Sequence, residues 1–132
     1  MSGETDLSVL LHMKPVLHAG SYVFVTLSAN YDVPKMAIVM EFREEKGVTL
    51  ILKKETADEL GLSYNFESAW ITLKIHSSLA AVGLTAAVSA KLTQHEISCN
   101  IVAAFYHDHL FVPAEDAQKA LHALAELSSE QL

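Results

Sequence analysis

Apolar and polar positions change period several times along the chain, and each change marks an element. Asp6 is placed to cap a short helix running to about Met13, with Leu7, Leu10 and Leu11 on one face. Pro15 and Gly20 are read as its end. From Ser21 to Ser28 the residues alternate, Val23, Val25 and Leu27 against Tyr22, Phe24 and Thr26, which predicts a strand. Asn30-Tyr31-Asp32-Val33-Pro34 has the composition of a loop. Met36 to Phe42 and Val48 to Lys53 are two further strands, with the polar Glu44-Glu45-Lys46-Gly47 as a hairpin turn between them. Thr56 to Leu60 predicts a short helix, with Gly61 in the usual stop position.

The second half is more regular. From Ala69 onward Ile71, Leu73 and Ile75 are apolar, while Trp70, Thr72, Lys74 and His76 are more polar, so this strand is half-buried. Ser77 to Gly83 is a connection of mostly small residues. Leu84, Ala87, Val88, Leu92 and the stem of Lys91 recur at helical spacing. Ile97, Cys99, Ile101, Ala103 and Phe105 predict the apolar side of another strand, and a tight turn at His107 and Asp108 leads into a partner strand, His109 to Val112. Pro113 suits a first helical turn, Glu115 and Asp116 suit its positive dipole end, and Ala117, Ala120, Leu121, Leu124 and Leu127 form the buried stripe of a last helix. The order β-α-β-β-α, after a strand-rich first half, gives an α+β sandwich of ferredoxin-like type, with helices on one face of an antiparallel sheet.

Composition narrows the function. The 132 residues are 51% hydrophobic and 19% charged, as expected of a packed globular chain. Nine Lys+Arg against sixteen Asp+Glu give a net charge of −7. Arg43 is the sole arginine and Lys53-Lys54 the only adjacent cations, so there is no basic face for nucleic acid or an anionic membrane. The longest apolar run, Leu79 to Ala90, is too short to span a bilayer and is interrupted by Thr85 and Ser89. Met1-Ser2-Gly3-Glu4-Thr5-Asp6 is acidic where a signal peptide is basic, and Cys99 is the sole cysteine, so a cytoplasmic protein without disulfides is expected. Cys99 is read as a core thiol. His107 and His109 have strand spacing but lack the further ligands a zinc site needs, and His76-Ser77-Ser78 lacks a nucleophile elbow. No catalytic residue, metal site or cofactor is expected.

The stretch Trp70 to Pro113 carries a resemblance. Its strand, the V-G-L-T helix start at Val82 to Thr85, the L-x-x-x-x-I-S pattern at Leu92 to Ser98 and the D-x-L-x-V-P pattern at Asp108 to Pro113 resemble the ACT domain, a regulatory amino-acid-binding module. Thr56-Ala57-Asp58-Glu59-Leu60 is similar to the T-x-x-E-L segment of tandem ACT proteins such as aspartokinase regulatory domains and the CASTOR-type arginine sensors. The resemblance implies two ACT-like subdomains, residues 1–64 and 65–132, in a small stand-alone regulatory protein, with ligand at an interface between ACT units and pairing into homodimers. Two departures stand out: Ala80-Ala81-Val82 replaces the Asp and Pro that many ACT domains carry ahead of the glycine, and Ala103-Ala104 replaces a Ser-Thr pair.

The residues give this location a physical basis. Gly83 lets backbone approach a ligand, and N–H groups at Leu84 to Ala86 are free at a helix start to receive a carboxylate. Asp108 is placed to take an ammonium or guanidinium. The expected ligand is therefore an amino acid, held by Val82, Gly83, Leu84, Thr85 and Asp108. Two other classes stay open: a ligand-independent interaction or oligomerisation module, and a small enzyme using His107 and His109.

Overall fold

The computed structural model of the protein describes residues 7–75 and 83–130. The chain folds as two compact units: a central one, Ala19–Ser68, and a terminal one that joins Met1–His18 to Ala69–Leu132.

In the central unit, β2 (Tyr22–Leu27), β3 (Ile38–Glu44) and β4 (Gly47–Lys53) pair antiparallel in the order β3-β4-β2. Glu67 and Ser68, which open β5 (Glu67–Lys74), pair with Val23 and Tyr22. Alternation sets the core: Val23 and Val25 from β2 meet Val48, Leu50 and Leu52 from β4, under Ala57 of α1 (Lys54–Glu59). The hairpin turn falls at Glu45-Lys46 as expected. Gly47 closes it because a Cβ there would stand 3.0 Å from the Leu27 carbonyl oxygen. β3 begins two residues later than expected. Pro34 and the Ala37 N–H bond to its carbonyl (2.9 Å) make Lys35–Ala37 a 3-10 turn, leaving Met36 98% exposed.

The terminal unit contains a 3-10 helix Leu7–His12, β1 (Lys14–Leu17), the rest of β5, α2 (Leu84–Gln94), β6 (Asn100–Ala103), β7 (Asp108–Pro113) and α3 (Ala117–Ser129). Its strand order is β1-β5-β7-β6. β1 is antiparallel to β5, from Lys14 opposite Lys74 to Leu17 opposite Ile71. β6 is antiparallel to β7. One sheet face carries Ala69, Ile71 and Leu73 of β5 with Leu110 and Val112 of β7, against Leu84, Val88 and Leu92 of α2 and Ala120, Ala123, Leu124 and Leu127 of α3. Leu10 and Met13 complete this core, and Ser128 Oγ donates to the Leu10 carbonyl at 2.7 Å.

Several expectations are corrected here. Residues 14–17 form a strand rather than a helix end. β1 pairs with β5 alone, and a flanking strand tolerates Pro15, which has no N–H to donate. Asp6, the expected cap, lies outside the described residues. α1 starts at Lys54, not Thr56. The strand expected from Ile97 to Phe105 is only Asn100–Ala103. Ile97 is buried in the loop after α2, and Phe105 is 77% exposed in the turn. That turn sits at Phe105-Tyr106, closed by the Ala104 N–H on the His107 carbonyl (3.1 Å), so Asp108 opens β7 instead of turning the chain. Pro113 ends β7, and a 3-10 turn, Ala114–Asp116, precedes α3.

Lys91 shows how the helix layer tolerates a cation. Its side chain is 6% exposed, and its ammonium donates to Glu126 (3.2 Å) and Glu130 of α3 and the residue after it. His95 Nε2 lies 3.0 Å from the same Glu126 oxygen. Bonds from His95 and Lys91 hold the Glu126 carboxyl below the ordinary carboxylate range. The stabilisation from this network is therefore complete above the ordinary value and disappears as pH falls through the lower folded value. Glu126→Gln is expected to flatten the acid-side fall in the urea midpoint relative to wild type. Leu124→Ala, at a fully buried position, is expected to cost about 2–5 kcal/mol in urea unfolding.

Candidate functional site

The terminal unit carries the expected site residues at the start of α2 and the start of β7, and a connected polar network on the sheet face away from the helices. Gly83 is the N-cap of α2, with φ of +94°, a conformation that favours glycine. Among the described residues, a Cβ at this position would meet nothing within 4 Å. Its carbonyl accepts the Ala87 N–H at 2.9 Å, and among the described residues no side chain caps the helix. The N–H groups of the first turn have no intrahelical acceptor, and the helix dipole makes this end favourable for an anion. The Leu84 side chain is buried in the core, which leaves its backbone for recognition, while Thr85 is exposed. Val82 lies outside the described residues, as do His76, Ser77 and Ser78.

Asp108 is the first residue of β7. Contacts between neighbouring strands run in opposite senses: His109 meets Thr72, and Phe111 meets Trp70. β7 is thus antiparallel to β5, and Asp108 starts beside the end of β5, where the chain leaves toward α2. Alternation puts Asp108 on the face of Leu110 and Val112, the face that the helices cover. Burial pushes its carboxyl above the usual range, against the pull of His109 and His107. Among the described residues no cation stands within ion-pair distance of it.

The opposite face carries a network that sequence reasoning did not assemble. The His18 ring stacks on Trp70, with centroids 3.6 Å apart and planes at 11°. His18 Nε2 is 2.7 Å from Thr72 Oγ1, which is 3.0 Å from His109 Nδ1. The Trp70 indole N–H donates to the same Nδ1 at 3.0 Å. Trp70 and Thr72 are visible as the polar side of their strand. His18 was not, because its place depends on β1. His109 belongs to this network, whereas His107 precedes β7 and its buried Nδ1 has no hydrogen-bond partner among the described residues. Among the described residues no three metal-ligating side chains cluster, and no helix is long and apolar enough to cross a membrane.

Sequence models of the ACT domain match residues 2–69 and residues 65–126. The chain belongs to the ACT domain family. The fold of this ACT protein agrees with solved structures. A Vibrio cholerae protein of unknown function, described as a possible transport protein, is 46% identical over 92% of this chain and 94% of its own, with a TM-score of 0.84. An Agrobacterium tumefaciens protein is 23% identical over 88% of this chain and 89% of its own, with a TM-score of 0.69. The regulatory subunit of aspartate kinase from Thermus thermophilus is 14% identical over 86% of this chain and 95% of its own, with a TM-score of 0.61. No curated protein matches the sequence.

Cys99 packs half-buried against the helix-side core of this ACT protein, and burial pushes its thiol up to about 11. The lower thiolate fraction outweighs the greater intrinsic nucleophilicity of a high-pKa thiol. Alkylation of the native protein at mildly alkaline pH is expected to be about tenfold slower than alkylation in urea, a balance set by those two opposing effects.

Proposed function

We propose that this ACT protein is a non-catalytic regulatory protein of the cytoplasm that binds a small molecule, and that the ligand is a free amino acid. Two observations support the reading: a helix start at Gly83 where no described side chain caps, and a half-buried Asp108 carboxylate with no cation at ion-pair distance among the described residues, at the start of the strand next to β5. Backbone at Val82, Gly83, Leu84 and Thr85 takes the carboxylate. Asp108 takes the ammonium or a cationic side chain, and the incoming charge offsets the cost of keeping Asp108 ionised there. The two family matches support reading the chain as two ACT repeats, residues 1–64 and 65–132, and pairing of ACT units supports a homodimer. The regulatory subunit of aspartate kinase, similar in fold, supports a regulatory role. Ligand would act by favouring one arrangement of ACT units over another, to the extent that it binds that arrangement more tightly.

A second reading has its own observation. Phe105 and Tyr106 are 77% and 76% exposed and form a T-shaped pair at the tip of the β6–β7 turn, as a protein-interaction module would present. Thermal unfolding with each protein amino acid separates the two. A ligand present at about 100 times its Kd adds roughly 2.7 kcal/mol, a rise of several degrees for a chain of this size. The expected result is a rise confined to one class of amino acid and lost in Asp108→Asn. No rise with any amino acid overturns the amino-acid reading in favour of the interaction module.

A further inference from the structure

The network on the sheet face away from the helices has a fixed proton arrangement. An indole N–H can only donate, so His109 Nδ1, 3.0 Å from it, must accept. The neutral His109 ring therefore carries its proton on Nε2. The Thr72 hydroxyl either shares that acceptor or donates to His18 Nε2, and in both arrangements Nδ1 stays bare. A second proton on His109 can only go to Nδ1. It would then face the indole N–H as donor against donor, and the bond could not survive.

His18 behaves differently. Its Nε2 meets a hydroxyl that can accept as well as donate, so a protonated His18 keeps the bond to Thr72. Its ring lies flat on the indole face, where a cation is attracted. The two histidines touch the same threonine, whose hydroxyl can accept from either when it is protonated; only His109 loses a bond on protonation, the one it accepts from the indole.

We propose that His109 is a proton-operated latch on Trp70: uptake of one proton at Nδ1 releases the indole N–H and turns Nδ1 into a donor to the Thr72 hydroxyl, giving the protein an acid-sensitive switch at the Trp70 side chain while β5 and β7 stay paired. The charges around the latch set where it operates. His18, which follows β1, and His107, which precedes β7, oppose a further positive charge on His109, while Lys74 of β5, opposite Lys14 of β1, acts on His18. Asp108, next in the chain and directed to the other face, favours it. From β6 the residue opposite His109 is Val102, which carries no charge. Burial first, then His107 and His18, hold His109 below the ordinary histidine value of 6.5. The latch is thus closed at neutral pH and opens on acidification. It does not depend on any ligand.

Trp70 is the sole tryptophan, so its indole N–H gives a single resonance that reads the latch directly. The test follows that resonance, with its hydrogen exchange, from about pH 8 to about pH 5, across the histidine range. The expected result is a one-proton step with a midpoint below 6.5, at which the N–H loses its hydrogen-bonded shift and exchanges faster. His109→Gln supplies an acceptor that does not titrate and should abolish the step; His18→Gln should keep it with a higher midpoint. A resonance unmoved over the range, or a step that survives His109→Gln, overturns the proposal. Should a variant fail to fold, the ring nitrogen shifts of wild-type His109 decide: a proton on Nε2 alone at high pH supports the latch, and one on Nδ1 overturns it. A fall in fluorescence without movement of the N–H resonance is quenching by a charged ring and also overturns it.

Discussion

The terminal unit depends on four residues from the start of the chain. Lys14 to Leu17 pair with Lys74 to Ile71, and this pairing places a strand beside β5 that the second half of the sequence does not contain. With it come Leu10 and Met13, which enter the core between α3 and the sheet, and the Leu10 carbonyl, which accepts from Ser128 across 118 positions of sequence. Such contacts close very long loops, and loop closure grows only slowly more costly with length. The arrangement is thermodynamically feasible, but it ties the integrity of a C-terminal core to a short N-terminal segment. A change near residue 15 is therefore a change in the core under α3.

The same pairing divides the sheet of this unit into two chemically distinct faces. Ile71, Leu73, Leu110 and Val112 look toward the helices, and their burial drives the packing. Trp70, Thr72, His109 and Phe111 look the other way, and His18, immediately after β1, completes that side. The helix side has to remain apolar to hold the layers together. Polar chemistry is therefore confined to the face away from the helices and to the ends of the strands. Lys91 conforms to this rule: its stem packs in the core while its ammonium reaches Glu126 and Glu130 at the end of α3.

Much of this was legible. The alternation in Tyr22–Leu27 and in Ala69–Ile75 follows directly from the pleat, and the stripe through Ala120, Leu124 and Leu127 from the helical repeat. Gly83 as a helix start was visible from the V-G-L-T segment. β1 was not, because Pro15 is a strong local stop signal and the four-residue strand is too short for alternation to compete with it. Missing β1 hid His18 as well, since nothing local in His18-Ala19-Gly20 indicates a partner at Trp70. The Phe105-Tyr106 turn was misplaced for a related reason: two aromatic residues read as the continuation of a strand, and only the pairing of Ala103 with Asp108 shows that the sheet has already turned back. Local signals failed where long-range pairing overrode them.

Asp108 and His109 are consecutive residues of β7, and the pleat sends them to opposite faces. Asp108 belongs to the helix side, near the end of the sheet from which the chain leaves β5 for α2; His109 belongs to the Trp70 network. Each lies in the other's electrostatic field: the aspartate favours a proton on His109, and a charged His109 favours ionisation of Asp108. A cation seated at Asp108 would weaken the attraction that helps His109 take a proton, so it would hold the latch closed to lower pH. By thermodynamic reciprocity, protonation of His109 would weaken cation binding at Asp108 by the same free energy. The amino-acid reading and the latch rest on different observations, and either can stand alone. If both hold, a single strand couples them, and the coupling needs no path longer than one peptide unit.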